Sequence, residues 1–533
     1  MARQVPGTLP TAIVSAALGI VLAAGCVWAA GPWSGGQRVS ERGGRARAVA
    51  VPVAQASQHS IAPSSPAPST RSVGPTHVPA GAALAPVLAG DKAGGGLTAA
   101  ELAGALGPLT AQPGFGRHVG IAVADPASPA LLFDDNAADG FAPASTNKVV
   151  TAVAALAALG PDDQFATRVV QGPNSAGSAG IVLVGGGDPT LSTLGPTADP
   201  AYRPASLDDL AARTAQALAA KGVKSVTLGY DASVFAGPAL NPTWSPGYTD
   251  GNVAPVVALM TDEGRAQPAV DLSARVGDPA AVAAAAFAQR LAAHGVQVLG
   301  KPVPATAGTD PEVAQVTSPR LADLVEHMLT VSDNDLAESL LRHVALADGQ
   351  PATFQGGVTA VRDQLTKLGL DLTGLNVLDG SGLSREDRIA PAFLVRVLSA
   401  AAADNHPDLR AALTGLPVAG FTGTLAEDGR YTTQSTLAGA GLVRAKTGSL
   451  TGVVTLAGLV RDNSGQLLVF ALMADQAPDA AAARSAVDRV ATASPRLSAR
   501  LPSPSRHRPP PYCTRGRWPT PGATGAARPP PGR

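Results

Sequence analysis

The segment Ser145-Thr-Asn-Lys-Val-Val-Thr-Ala-Val-Ala-Ala-Leu-Ala-Ala-Leu159 carries one lysine in a run of small apolar residues and is followed by Gly160-Pro161. Its apolar positions predict one continuous helix, which the Gly-Pro pair would end. Residues three apart share a helix face, so Lys148 would reach the hydroxyl of Ser145. A lysine can take the proton of a serine when desolvation depresses the lysine pKa. Ser145 is therefore a candidate nucleophile, although an N-cap serine beside a lysine with a packed stem gives the same pattern.

A second polar triplet, Ser332-Asp333-Asn334, lies between helical patterns at 321–330 and 336–343. By itself it is typical of a helix N-cap or a turn. If it shares a site with Ser145, the Ser332 hydroxyl would relay a proton and Asn334 would hydrogen-bond an amide of the substrate.

A third triplet, Lys446-Thr447-Gly448, interrupts an apolar pattern that predicts strand structure. A lysine here also fits an edge strand that is protected against aggregation. An edge strand can instead bind an extended peptide by main-chain hydrogen bonds, and Gly448 would allow a close approach of the two backbones. Lys446 and Thr447 would then supply a positive charge and a hydroxyl to a terminal carboxylate.

The three motifs in this order are the signature of penicillin-binding proteins and class A β-lactamases. The 187 residues from Ser145 to Ser332 leave room for a large insertion. With two more segments, Val184-Gly-Gly-Gly-Asp-Pro-Thr-Leu191 and Asp379-Gly-Ser-Gly-Leu-Ser-Arg385, the chain resembles the low-molecular-mass class C penicillin-binding proteins. That is the D-Ala-D-Ala carboxypeptidase/endopeptidase family, of penicillin-binding protein 4 type, and the resemblance extends over about residues 97–493.

The resemblance implies an α/β (α+β) fold: a serine β-lactamase/transpeptidase-like domain with an antiparallel sheet flanked by helices and a large inserted α/β module. It implies a serine D-alanyl-D-alanine carboxypeptidase that acts on peptidoglycan stem peptides through an acyl-enzyme and is acylated by β-lactam antibiotics. Two alternatives remain: a D,D-endopeptidase that cuts cross-links, and a non-catalytic penicillin-binding scaffold in the cell wall. No cofactor and no metal is implied.

The resemblance also assigns expected roles to individual residues. The expected catalytic residues are Ser145, Lys148, Ser332, Asn334 and Lys446, and the expected substrate-binding residues are Thr447, Gly448, Ser449, Asp188 and Arg385. The backbone N–H groups of Ser145 and Ser449 would form an oxyanion hole. Asp188 and Arg385 would hold the amino and carboxylate groups of a diaminopimelate-type side chain.

Other chemistries find little support in the sequence. There is no G-x-S-x-G nucleophile elbow and no H-E-x-x-H motif, and Gly185–Gly187 lacks the Gly-Lys-Ser/Thr of a phosphate-binding loop. The segment Asp371-Leu-Thr-Gly-Leu-Asn376 lacks the glutamate that activates a deacylating water in class A β-lactamases, so fast hydrolysis of penicillin is not expected. The two cysteines, Cys26 and Cys513, cannot form a disulfide framework or a zinc set.

Composition divides the chain into five parts. We expect a signal peptide or membrane anchor at 1–30, a disordered Pro/Gly/Ala linker at 31–95, a catalytic domain at 96–169 and 315–494, an inserted module at 170–314 and a disordered Pro/Arg tail at 495–533. Within these parts, Thr98 and Glu101 predict a capping box, and 118–133 predicts two strands around a turn at Asp125-Pro126. Strands are also expected at Val270–Val276, Gly441–Val460 and Gln466–Asp475.

The N-terminal segment indicates an extracytoplasmic protein of the cell envelope. Arg3 precedes an uncharged apolar run to about Ala30, near the ~20 residues that span a bilayer. It could be cleaved near Ala29 or Ala30, remain as an anchor, or be a lipoprotein signal that uses Cys26. The net charge of the chain is zero, but the segment from Arg496 onward contains eight arginines and no acidic residue. The rest of the chain therefore has a net charge of −8 (0 minus 8), which is not typical of a nucleic-acid-binding protein.

Overall fold

The computed structural model describes residues 97–496, apart from residues 111, 129, 176–177, 196–201 and 463–464. The α-helices of this region are α1 (Ala99–Thr110), α2 (Asn147–Leu159), α3 (Leu207–Ala219), α4 (Pro279–Ala293), α5 (Leu321–Val331), α6 (Asn334–Ala347), α7 (Phe354–Lys367), α8 (Pro391–Ala402), α9 (Ala411–Thr414) and α10 (Ala480–Arg496). The β-strands are β1 (His118–Ala124), β2 (Leu131–Asp135), β3 (Ala166–Ser175), β4 (Ser178–Val184), β5 (Ser225–Asp231), β6 (Gln297–Val298), β7 (Val303–Pro304), β8 (Glu312–Thr317), β9 (Leu375–Asn376), β10 (Arg388–Ile389), β11 (Val443–Leu450), β12 (Val453–Arg461) and β13 (Leu467–Asp475).

One sheet joins the beginning and the end of the described chain. Its five strands lie in the order β11-β12-β13-β1-β2, and every neighbouring pair is antiparallel. In the pairing of β1 with β13, Ile121 lies opposite Leu472 and Val123 lies opposite Phe470. β11, the strand of the Lys-Thr-Gly motif, therefore lies at one edge of the sheet.

The two faces of this sheet bury different sets of side chains, because successive residues of a strand point to opposite faces. Leu468, Phe470 and Leu472 of β13 pack with α1 and α10. Val469 and Ala471 of the same strand pack on the other face with α2, α6 and α8. The predicted antiparallel sheet flanked by helices is confirmed.

A second sheet lies between α2 and α5 in the chain. Its strands follow the order β6-β5-β4-β3-β8, and β7 also pairs with β5. The neighbours of β5 are parallel to it, whereas β3 is antiparallel to β4 and to β8. α3 and α4 cover one face with a core that includes Leu210, Phe287 and Leu291.

Several local predictions are confirmed. The capping box forms at the start of α1, where Thr98 N–H donates to Glu101 Oε2 at 3.0 Å and Glu101 N–H donates to Thr98 Oγ1 at 3.3 Å. β1 and β2 form the predicted hairpin around Asp125. Gln466–Asp475 matches β13.

Two strand predictions are wrong. Val270–Val276 forms turns, with only an isolated bridge between Arg265 and Arg275, because Val270 is exposed and Arg275 points inward to an ion pair with Asp335. Gly441–Val460 is not one strand but two, since the chain reverses between Leu450 and Val453 at Gly452, whose φ is +75°. Strands β3 and β8 were not predicted, because Gly-Pro and Pro-rich sequence obscures their alternation.

The predictions for the chain ends cannot be compared with the fold. The leader or anchor at 1–30 with Cys26, the linker at 31–95 and the tail from 497 onward with Cys513 lie outside the described residues. Among the residues that are described, no helix combines the length and the apolar character needed to cross a membrane.

The core of the five-stranded sheet offers a direct test of these assignments. Phe470→Ala removes a side chain that is 2% exposed, and we expect the free energy of unfolding to fall by about 3–5 kcal/mol. Phe421→Ala makes the same chemical change at a residue that is 68% exposed and should cost about 0.5 kcal/mol or less. Urea unfolding followed by circular dichroism measures both, and equal losses would contradict the placement of Phe470 in the core.

Candidate active site

Ser145 lies in a short 3₁₀ turn, Ala144–Thr146, directly before α2. The helix therefore begins two residues later than predicted, at Asn147, and Ser145 stands at its entrance. Thr146 Oγ1 donates a hydrogen bond to Pro143 O at 2.7 Å, and Ala144 adopts a φ of +46°. Ser145 is 1% exposed, so the turn holds its hydroxyl inside the protein surface.

Lys148 lies in the first turn of α2 and is fully buried. Its Nζ donates to Ser145 Oγ at 3.1 Å, to Asn334 Oδ1 at 2.7 Å and to the carbonyl oxygen of Ser381 at 2.8 Å. The predicted approach of Lys148 to Ser145 is therefore present. The same amine also joins two segments far apart in sequence, the start of α6 and the loop that contains Ser381.

The Ser-Asp-Asn triplet connects α5 to α6. Ser332 ends α5 in the left-handed region with φ +63°, a conformation that lets the chain turn sharply. Asp333 caps α6, since its Oδ1 accepts the N–H of Leu336 at 3.0 Å. Asn334 is the first residue of α6, and its Nδ2 donates to the carbonyl of Asn252 at 2.9 Å while its Oδ1 binds Lys148. The triplet thus does both: Asp333 caps α6, and Asn334 contacts Lys148.

The Lys-Thr-Gly triplet lies on β11, which packs against the segment that leads into Ser145. The Thr455 hydroxyl on β12 donates to Pro143 O at 2.8 Å. A Cβ at Gly448 would lie 2.1 Å from Thr455 Oγ1 and 2.7 Å from Pro143 O, so a side chain here would push the strand away from Ser145. Gly448 therefore permits a close approach between β11 and the serine turn.

Lys446 and Thr447 directly precede Gly448 on β11, and both are buried. Lys446 is fully buried and its Nζ donates to the carbonyl of Thr447 at 2.8 Å. The Thr447 hydroxyl lies 2.7 Å from that of Thr424. On the outer edge of β11, residues 417–419 pair with Val443 and Ala445 through backbone hydrogen bonds, and this pairing ends just before Lys446. Ser449 follows on the same strand, opposite Val454 of β12.

Asp188 and Arg385, which the sequence analysis assigns to one subsite, occupy different environments. Asp188 is 2% exposed, and its Oδ1 accepts the N–H and the hydroxyl of Thr190 at 2.9 and 2.7 Å. Its Oδ2 is buried and has no hydrogen-bond partner among the described residues. Arg385 is exposed, and its guanidinium donates to the carbonyl of Thr451 at 2.7 Å. No ion pair joins the two in the described region.

The Gly185–Gly187 loop places Asp188 against α6. The carbonyl of Gly187 accepts hydrogen bonds from Ser339 and from His343 Nε2, both on α6. Gly187 has a φ of +81°, and a Cβ there would lie 2.5 Å from His343 Nε2. Glycine is therefore required at this position by both conformation and space.

Asp188 lies near a group of partly buried ionisable side chains that includes Asp333 of the Ser-Asp-Asn triplet. Within the described residues, Glu263, His327 and Asp333 offer ligand atoms within 4.8 Å of one another. Arg265 and Arg275 already lie beside Glu263, with N–O distances of 2.5 and 3.7 Å, and Arg275 also pairs with Asp335 at 3.1 Å. Because these arginines compensate the carboxylates, we assign no metal to the group.

Ser381 and Glu338 also lie at the site, although neither was predicted from the sequence as a site residue. The backbone carbonyl of Ser381 accepts the hydrogen bond of Lys148, and a motif defined by side chains cannot indicate a backbone contact. Glu338 is fully buried on α6, four residues after Asn334, and it accepts the N–H of Ser381 at 2.7 Å. A glutamate on the buried face of a helix is a signal that the sequence contained, because ionisable residues are rarely fully buried without a partner.

Burial raises the pKa of Asp188 to about 6, although its bonds to Thr190 act in the opposite direction. The folded protein thus keeps this proton up to about pH 6, whereas the unfolded chain releases it near 3.8. The free energy of unfolding must therefore fall as the pH rises between these values. Asp188→Asn keeps an acceptor for Thr190 and has no proton to lose. Between pH 4 and pH 7, we expect the free energy of unfolding of the variant to rise by about 2–3 kcal/mol relative to that of the natural protein.

Urea unfolding of both proteins at the two pH values measures this difference. Asp371→Asn is the matched control, since Asp371 is exposed and its pKa is lowered rather than raised, chiefly by the backbone N–H of Thr373. If the free energies of unfolding of Asp188→Asn and the natural protein differ by the same amount at both pH values, the buried, protonated state of Asp188 is contradicted.

The geometry of this site can be compared with known proteins. The family model of the D-Ala-D-Ala carboxypeptidase 3 (S13) family matches residues 102–274 and 268–494. The carboxypeptidase DacB of Mycolicibacterium smegmatis is 39% identical over 393 residues, which cover 73% of this chain and 83% of that protein. The carboxypeptidase Rv3627c of Mycobacterium tuberculosis is 37% identical over 399 residues, with 74% and 84% covered.

A solved structure agrees with these relatives. The crystal structure of penicillin binding protein 4 (dacB) from Haemophilus influenzae superimposes with a TM-score of 0.60 at 25% sequence identity, covering 74% of this chain and 98% of that one. The transpeptidase-like fold expected from the sequence is confirmed. Together, these matches over most of the described residues show that the chain belongs to the D-Ala-D-Ala carboxypeptidase 3 (S13) family.

Proposed function

We propose that this protein is a serine D-alanyl-D-alanine carboxypeptidase that cleaves the terminal D-alanine from peptidoglycan stem peptides. The observation that carries the proposal is the contact of Lys148 Nζ with Ser145 Oγ at 3.1 Å, in a buried site that also contains Asn334. Family membership supports the same reaction class. The relatives named as carboxypeptidases align with this chain over more than four-fifths of their length.

The first chemical step would be acylation of Ser145. Lys148, in its neutral form, keeps its bonds to Asn334 and Ser381 with its two N–H groups and takes the hydroxyl proton across the contact to Ser145. Ser145 Oγ then attacks the carbonyl between the two terminal D-alanines. The backbone N–H groups of Ser145 and Ser449 stabilise the oxyanion, an effect worth about 3–4 kcal/mol per donor. Ser332 passes the proton to the leaving amine, which departs as free D-alanine. Water then attacks the acyl-enzyme and releases the shortened peptide.

Substrate binding would use the edge of β11 from Lys446 onward. The stem peptide extends beside this edge as an additional strand, and the charge of Lys446 with the hydroxyl of Thr447 holds its terminal carboxylate. The end of the 417–419 pairing just before Lys446 supports this placement. A β-lactam carries an acyl group and a carboxylate that fit the same positions, and the Haemophilus structure that resembles this chain is named a penicillin-binding protein.

The side-chain subsite is proposed to involve Asp188 and Arg385. The unpartnered Oδ2 of Asp188 supports an ammonium ligand, since a buried oxygen without a partner is costly. Arg385 lies beside the β11–β12 turn through its bond to Thr451, where its guanidinium could receive a carboxylate of the same stem residue. A diaminopimelate-type side chain carries both groups.

The domain boundaries and the location of the protein are also proposals. We assign 96–169 and 315–494 to the catalytic domain and 170–314 to an inserted module, supported by the second sheet between α2 and α5. Peptidoglycan lies outside the cytoplasmic membrane, so the reaction requires export. The apolar run that precedes residue 31 would serve as a cleaved signal or as a membrane anchor.

Substitution of the nucleophile tests the proposal. Ser145→Ala should lose labelling by a fluorescent penicillin and should lower D-alanine release from a pentapeptide by at least about 1000-fold. Ser399→Ala, at a half-buried serine of α8 outside the three motifs, is the matched control and should keep both activities. Undiminished labelling of Ser145→Ala, or no labelling of the natural protein, would overturn the assignment.

The balance between carboxypeptidase and endopeptidase activity needs a separate comparison. Both reactions use the same acylation chemistry and differ only in the leaving group, which is free D-alanine in one and a cross-linked side-chain amine in the other. We expect release of D-alanine from monomeric muropeptides to exceed cleavage of cross-linked dimers when both are followed by chromatography. Faster loss of dimers would favour the endopeptidase, and loss of neither, despite penicillin labelling, would favour a scaffold.

A further inference from the structure

The loop of residues 379–384, called here the Asp379 loop, binds the start of α2 through three consecutive carbonyl groups. Asp379 O accepts Asn147 Nδ2 at 2.9 Å, Gly380 O accepts Thr151 Oγ1 at 2.7 Å, and Ser381 O accepts Lys148 Nζ at 2.8 Å. The loop therefore follows the same helix turn that carries Lys148. Any displacement of the loop moves one of the acceptors of this amine.

Glu338 holds the opposite side of the loop. Its Oε1 accepts the N–H of Ser381 at 2.7 Å, and its two oxygens accept the N–H of Gly380 at 3.2 and 3.0 Å. Glu338 lies four residues after Asn334, so both side chains project from one face of α6. This face meets Lys148 directly through Asn334 and indirectly through the peptide between Gly380 and Ser381.

The rest of the loop is held by its own buried groups. Asp379 Oδ1 accepts Gly382 N–H at 2.7 Å, and Asp379 Oδ2 accepts Ser384 N–H at 2.7 Å and Trp244 Nε1 at 2.8 Å. Gly382 has a φ of +80°, and a Cβ there would lie 1.8 Å from the carbonyl oxygen of Ala144. The loop is thus packed against the residue that precedes Ser145, and Glu338 supplies its contact with α6.

Burial, followed by the nearby Asp379, raises the pKa of Glu338 above its ordinary value. The hydrogen bonds from Ser381 and Gly380 act in the opposite direction and lower it. The contact with the loop therefore stabilises the carboxylate, which has two acceptor oxygens for these N–H groups.

We propose that Glu338 is a positioning residue for acylation, which orients the Ser381 carbonyl as an acceptor for Lys148 by binding the N–H groups of Gly380 and Ser381. The proposal rests on the proposed function, because it assigns Glu338 a part in the use of Lys148 as the base. Loss of Glu338 leaves two buried N–H groups without their acceptor. The loop then shifts, and Lys148 is no longer held in line with Ser145.

Three variants test this role. Glu338→Leu removes both acceptor oxygens, Glu338→Gln keeps one, and Leu340→Ala on α6 is a matched control that weakens the same buried helix without touching the loop. We expect Glu338→Leu to lower the limiting acylation rate by a penicillin about 100-fold, and Glu338→Gln about 10-fold, because a small misplacement of a catalytic group costs this much. Leu340→Ala should stay within about threefold of the natural protein.

The measurement is stopped-flow acylation over a range of penicillin concentrations at pH 7, with the folded fraction of each variant measured by circular dichroism. We expect the limiting rate to fall and the half-saturating concentration to stay within about threefold, since the loop acts on Lys148 rather than on the binding edge. Should Glu338→Leu not fold, Glu338→Gln and the isosteric Thr151→Val, which removes the bond to Gly380 O, provide the same test.

The outcomes separate this inference from the proposed function. If the natural protein is acylated at Ser145 but the folded Glu338 variants acylate as fast as Leu340→Ala, only the role of Glu338 is overturned. Slower acylation that results only from a higher half-saturating penicillin concentration, with an unchanged limiting rate, would also overturn the role of Glu338. Such a result would indicate a role in binding. If Ser145→Ala remains labelled, the proposed function itself fails.

Discussion

A buried lysine amine organises the site on which the rest of the structure converges. Lys148 lies fully inside the protein, where a polar group without hydrogen bonds would be strongly destabilising. Its Nζ donates to a serine hydroxyl, a side-chain amide and a backbone carbonyl, from Ser145, Asn334 and Ser381. Each of these acceptors belongs to a different part of the chain, so satisfying the lysine requires the α2 start, the α6 start and the Asp379 loop to meet.

Helix α6 brings these parts together. Its first turn supplies Asn334 to Lys148, the next turn supplies Glu338 to the Asp379 loop, and Ser339 and His343 bind the carbonyl before Asp188. The five-stranded sheet completes the site from the other side, because Gly448 lets β11 approach the turn before Ser145. A single helix thus sets the positions of the Asn334 amide, a backbone acceptor of Lys148 and a loop of the proposed subsite.

The parts of this arrangement that could be predicted from the sequence are those encoded locally. The motifs around Ser145, Ser332 and Lys446 combine residue type with short spacing, and the structure places Ser145, Lys148 and Asn334 in contact. The Ser381 carbonyl could not be predicted, since every residue has one and only tertiary packing selects it. Val270–Val276 was mistaken for a strand for a related reason: its alternation lacked a sheet partner, which no local pattern reveals. The domain boundaries and the pairing of Asp188 with Arg385 stay predictions.

The most direct test of the account is to find the residue that a β-lactam acylates. The natural protein would be incubated with benzylpenicillin, its intact mass measured, and the modified peptide identified by tandem mass spectrometry after digestion. We expect one covalent adduct per chain, on Ser145 of the turn before α2. An adduct on any other residue, or an unchanged mass after prolonged incubation, would contradict it.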